Sequence, residues 1–138
     1  MGCDIHFHAE IQVGGVWEHY STPQIDRNYD LFAKMAGVRN CNGIEPICPP
    51  KGLPDGVSKV TRIDFLRWGS DAHSTSWFDR REIQELYRWL AGRLGDKAYR
   101  VERDYWGYLF GNGWDQEFPL EVGGFLVTDA RFVFWFDN

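Results

Sequence analysis

Cysteine is scarce in this chain, and the structural signals that depend on it are missing. The 138 residues hold only Cys3, Cys41 and Cys48. That odd count without CxxC spacing indicates neither a disulfide framework nor a zinc knuckle. The thiols are expected to be reduced, with Cys3 a small core residue. No apolar run is long enough to span a bilayer, and the first residues lack the basic, apolar and small-residue order of a secretion signal, so a cytoplasmic protein is expected. Positive charge is also short. Fifteen Lys and Arg stand against 20 Asp and Glu, for a net charge of −5, and the basic residues are scattered. This excludes the electrostatic footprint of a binder of extended nucleic acid, while a small nucleotide or a protein partner stays open. There is no Walker loop, no GxGxxG and no GxSxG elbow, and the cysteines have no evident histidine partner.

Aromatic residues, by contrast, are abundant. Seven Trp, 10 Phe and 6 Tyr run along the whole length, so large rings must carry much of the packing. The length suits one ordinary core, and residues 1–138 read as a single domain. Without excess positive charge, the rings read as core and not as a base-stacking platform.

From Cys3 to Val13 the residues alternate, with Cys3, Ile5, Phe7, Ala9, Ile11 and Val13 on one face and Asp4, His6, His8, Glu10 and Gln12 on the other. Gly14-Gly15 supplies a two-residue hairpin turn, and Val16 to Tyr20 return antiparallel, which sets Glu10 opposite His19. NYDLFAKMAGV reads as a helix capped by Asn28 and stopped by Gly37. The stretch PICPPKGLPDG, 46–56, is a surface loop. A second helix is predicted in SKVTRIDFLRWG, capped by Ser58, then a loop over 70–78. The third helix starts at a capping-box pattern of Asp79 and Glu82 and stops at Gly95. Asn112-Gly113 suggests a hairpin within 98–118. The final ARFVFWFDN, apolar on both faces, reads as a central strand.

Together these pieces resemble a family of uncharacterised proteins common in tailed-phage and prophage genomes. The resemblance is carried by MGCDIH at 1–6, RNYDLFAKMAGVRN at 27–40, EPICPPKGLPDGVS at 45–58, DAHSTSWF at 71–78 and RFVFWFDN at 131–138. It implies a phage or prophage product in the cytoplasm of the bacterial host, and no particular activity. DAHSTSW stands where the family has a DGHSHSW-like segment, so Ser74-Thr75-Ser76 lack the usual second histidine and weaken a metal reading. Residues 95–128 have no counterpart in the pattern.

Three groups of residues could carry chemistry. Asp4 and His6 on the polar strand face, with His73 from the following loop, form a candidate metal set. Residues two apart on a strand lie roughly 6.6 Å apart, and imidazole with carboxylate suits zinc, manganese or iron. A solvated strand face would need polar residues in any case, and His8 and Glu10 are expected to be no more than that. Asp71 and His73 are candidate catalytic groups, the alternative being a structured turn in which Asp71 and Ser74 bond to backbone. Arg39, Asn40, Ser74 and Asp137 are candidate ligand-binding residues, since guanidinium suits phosphate and ligand sites favour strand ends. Arg39 could equally satisfy the last helix carbonyls.

The expected fold is α+β, with an antiparallel or mixed sheet built from the first hairpin and the last strand and packed with about three helices. The expected function is that of an accessory protein modulating host processes, such as host defence, by binding a small anionic ligand like a nucleotide, or a host protein. The alternative is a metal-dependent phosphoesterase, with zinc or manganese on Asp4, His6 and His73 and with Asp71 as acid or base.

Overall fold

The computed structural model describes residues 2–100 and 117–137. The hairpin expected within 98–118 lies largely outside them. Strand β1, Asp4–Val13, turns through Gly14 and Gly15, both at positive φ, into β2, Val16–Ser21. The register sets Glu10 opposite His19, as the two-residue turn requires.

Helix α1, Tyr29–Ala36, begins where the Leu31 N–H donates to Asn28 Oδ1 at 3.1 Å and ends at Gly37 with φ 73°. Helix α2 spans Lys59–Trp68 after Ser58. Strand β3 is His73–Phe78 and helix α3 is Arg80–Leu94. The capping box of α3 is complete: the Glu82 N–H donates to Asp79 Oδ1 at 2.9 Å, and the Asp79 N–H donates to Glu82 Oε1 at 3.1 Å. Strands β4, Leu120–Val122, and β5, Phe125–Asp137, complete the described chain.

The five strands form one antiparallel sheet in the order β2-β1-β5-β3, with β4 also paired to β5. The architecture is therefore α+β, as the pattern of elements implies, and the sheet is antiparallel throughout. The C-terminal apolar run is indeed central, between β1 and β3. The segment 70–78 departs from expectation. Only its first part turns, and His73–Phe78 is the edge strand. Ser-Thr-Ser carries little strand signal of its own, and here the open edge of β5 supplies the ladder. The 46–56 loop then covers that edge, with the Gly52 N–H donating to Thr75 O at 2.8 Å.

One face of the sheet holds the main core. Ile5, Phe7 and Ala9 of β1, Phe132, Phe134 and Phe136 of β5 and Phe78 of β3 pack on Leu31, Phe32 and Met35 of α1 and Ile83, Leu86 and Leu90 of α3. Rings meet edge to face, Phe7 on Phe132 at 4.6 Å, Phe78 on Phe134 at 4.9 Å and Phe32 on Phe136 at 5.1 Å between centroids. The opposite face carries β1's polar residues and is covered by α2, whose Phe65 ring stands edge-on to Trp135 at 5.2 Å. Among the described residues, no helix is long and apolar enough to cross a membrane.

Candidate functional site

The polar face of β1 is a ladder of four charged or ionisable residues, each meeting a partner of opposite or complementary character. Asp4 takes Arg27, whose Nε and Nη2 donate to its two oxygens at 2.6 and 3.1 Å. His6 Nε2 lies 2.7 Å from Asp137 Oδ2, and His8 Nε2 lies 2.7 Å from Asp64 Oδ2. Glu10 Oε1 accepts from Arg131 Nε at 2.8 Å, while Glu10 Oε2 accepts the Ser58 N–H at 2.9 Å. Arg131 Nη2 also lies 2.8 Å from Oε1, as an ion-pair contact without an aligned hydrogen bond. Side-chain exposure falls steadily along the ladder, from 50% at Asp4 to 20% at His6, 3% at His8 and 0% at Glu10.

His8 and Glu10 are therefore not the solvated residues expected from the alternation. Helix α2 closes over them, and burial forces each to find a partner. For Glu10 burial raises the carboxyl pKa, but hydrogen bonds from Ser58, Thr61 and Arg131 outweigh it and hold the group below its ordinary range. Arg131 is pushed down chiefly by its own burial, against the pull of Glu10; its guanidinium lies over the Trp17 ring at 4.0 Å and donates to Asp55 O at 3.1 Å.

The expected residues assemble only in part. Strand pairing places Asp4 directly opposite Asp137, and the Asp4 N–H lies 3.4 Å from Asp137 Oδ1, so Asp4, His6 and Asp137 do share one end of the sheet. His6 is packed there against Trp68, ring centroids 4.0 Å apart. His73 does not join them. It pairs with Phe136 on the apolar face, its Nδ1 lies 3.1 Å from Ser74 Oγ, and its buried Nε2 has no partner. The Asp4, His6 and His73 set for zinc or manganese is thus divided between two faces, because the period-2 register sends neighbouring residues to opposite sides. Among the described residues, no three His, Cys, Asp or Glu side chains are placed to hold a metal ion.

The other candidates are spread out. Asp71 is exposed in a short 3-10 turn, Gly69–Asp71, and makes no side-chain bond to His73. Ser74 sits at φ 53°, a left-handed conformation rare outside glycine. Arg39 lies over the Tyr29 ring at 5.4 Å. Asn40 braces its own loop, donating to Ile44 O at 2.7 Å and accepting the Ile44 N–H at 2.8 Å.

The second half of the ladder opens onto a groove that sequence reasoning missed. His8 Nδ1 lies 3.1 Å from His19 Nε2, and Thr22 Oγ1 lies 3.1 Å from the same His19 nitrogen and 3.4 Å from His8 Nδ1. Above them α2 turns Thr61, Asp64, Phe65 and Trp68 inward, at helical spacing, and leaves Val60, Ile63 and Leu66 outward at 52, 60 and 65% exposure. The inward face thus mixes polar and aromatic residues, because the sheet face under α2 asks for hydrogen-bonding partners as well as packing.

Two adjoining hollows follow α2, one against His8 and Thr22 and the other against β2. One, of about 300 Å³, is lined by His8, Thr22, Val60, Ile63, Asp64 and Arg67. The other, of about 470 Å³, shares Val60 and adds Trp17, Glu18, His19, Ser58 and Lys59. Burial, followed by the nearby His8, holds the His19 imidazole below its ordinary pKa. Of the missed residues, only His19 had a signal, through its hairpin register opposite Glu10. Asp64 and Arg67 were visible merely as helix surface.

A scan against protein-family models finds no match, and searches of the curated proteins and of the solved structures find none either.

Proposed function

We propose that the protein is an accessory factor that binds a small anionic ligand, of the nucleotide kind, in the groove between α2 and β2. One observation carries this reading. Arg67 lines the smaller hollow and pairs with no carboxylate among the described residues, beside the imidazole of His8 and the hydroxyl of Thr22. A guanidinium that makes no ion pair among the described residues suits an oxyanion, the Asp64 carboxylate of the same hollow being engaged by His8 Nε2, and the exposed Val60 and Ile63 offer an apolar wall to the rest of the ligand. Lys59 lines the larger hollow and supplies a second positive charge. The hollows' volumes suit a ligand of nucleotide size.

The motif resemblance supports a phage or prophage product acting in the cytoplasm of a bacterial host, where capture of a host nucleotide would modulate host defence. Calorimetric titration of the full chain with nucleoside mono-, di- and triphosphates and cyclic nucleotides tests the reading. Binding that weakens at least tenfold in Arg67→Ala supports it, and absence of binding across the panel removes it.

A second reading, a host protein as the partner, draws on the exposed Val60, Ile63 and Leu66 row. It is favoured if Ile63→Asp abolishes capture of a specific host protein while no nucleotide binds.

A further inference from the structure

The hydrogen-bond chain leading from Asp64 to the groove determines which nitrogen of His19 is left as an acceptor. Asp64 Oδ2 is 2.7 Å from His8 Nε2, and a carboxylate oxygen can only accept, so Nε2 carries the N–H. A singly protonated imidazole with its N–H on Nε2 leaves His8 Nδ1 as a lone pair. His19 Nε2 lies 3.1 Å from that lone pair. Two lone pairs would repel at this separation, so His19 Nε2 carries the second N–H, shared with Thr22 Oγ1 at 3.1 Å. The remaining lone pair of the chain is then His19 Nδ1, on a ring that lines the larger hollow and has no other partner among the described residues. Its surroundings keep it available as an acceptor. Burial and the neighbouring His8 disfavour the charged ring, while Glu10 and Asp64 pull weakly the other way.

From this geometry we propose that the groove selects an anion that also donates a hydrogen bond: a phosphate carried on a hydroxyl-bearing sugar, with the phosphate toward Arg67 and a sugar hydroxyl donating to His19 Nδ1. The inference rests on the anion-binding reading above and narrows its ligand class. A phosphate or carboxylate without a donor satisfies Arg67 and leaves the His19 lone pair desolvated and unmatched, which costs affinity.

Titration of the full chain at pH 8 with adenosine 5′-monophosphate and its 2′,3′-dideoxy analogue tests this. The dideoxy compound is expected to bind about tenfold more weakly than adenosine 5′-monophosphate, the worth of one well-placed hydrogen bond. His19→Phe is expected to erase that difference while both compounds still bind. Equal affinity for the hydroxyl and dideoxy compounds overturns the inference and leaves the anion reading standing. No binding of any probe overturns both. Nitrogen-15 NMR of the imidazoles gives a readout independent of ligand: both histidines should carry their proton on Nε2, and a His19 protonated on Nδ1 would break the chain.

Discussion

Glu10 and Arg131 face each other across β1 and β5, paired in register and 2.8 Å apart, with both side chains almost wholly removed from solvent. The pair is tied further to the start of α2 through Ser58, so it links two strands to the helix that roofs the polar face. Glu10→Gln leaves a buried guanidinium without its counter-charge and is expected to destabilise the fold by about 3–5 kcal/mol. Urea unfolding followed by tryptophan fluorescence measures it. A Glu10→Leu, Arg131→Met double variant should recover much of the loss, because it removes both charges together.

Acid should weaken the protein in two windows. His19 has a depressed pKa in the folded state, so the unfolded chain binds more protons as pH falls through the ordinary imidazole value near 6.5; stability is full above that value and declines below it. Glu10 is a depressed carboxyl, and its contribution is full above the ordinary value of about 4.5 and is lost as pH falls through the lower folded one. Urea midpoints measured from pH 8 to pH 3 should show both declines. His19→Gln should flatten the upper one alone, and an unchanged profile in that variant would contradict the assignment.

Thiol reactivity should divide sharply. Cys41 is exposed, Cys3 is buried, and Cys48 is pushed up to about 11, by burial first and then by the Glu82 carboxylate. With an aromatic disulfide reagent at pH 8, Cys41 is expected to react within the mixing time of a manual assay, and Cys3 and Cys48 only on unfolding. Mass spectrometry after a short alkylation identifies the labelled position.

The outward row on α2 should be dispensable for folding. Ile63→Ser is expected to change stability by no more than about 0.5 kcal/mol, as surface substitutions do, whereas Phe65→Ala, beneath it on the inward face, should cost about 3 kcal/mol or more. Similar costs for both would mean that α2 is rotated from the orientation described.

Much of the architecture was legible because it rests on local signals. The hairpin, the Asn28 and Asp79 caps and the Gly37 stop each depend on residues within a few positions of one another, and the C-terminal strand announces its central place by being apolar on both faces. The site was far less legible. Alternation identified which β1 residues leave the main core, yet it could not distinguish a face open to water from one closed by a polar helix surface.

The sequence by itself determined the α+β class, the hairpin register that brings Glu10 opposite His19, and the three helices, since turn chemistry and side-chain periodicity act over short distances. Tertiary structure decided the rest. Pairing with β5 turned a polar Ser-Thr-Ser segment into an edge strand and sent His73 to the face away from His6. It was the docking of α2 that buried His8 and Glu10, converting a solvated row into a ladder of matched partners. Burial is what made those partners necessary, and it depends on what lies across space, which periodicity along the chain does not encode.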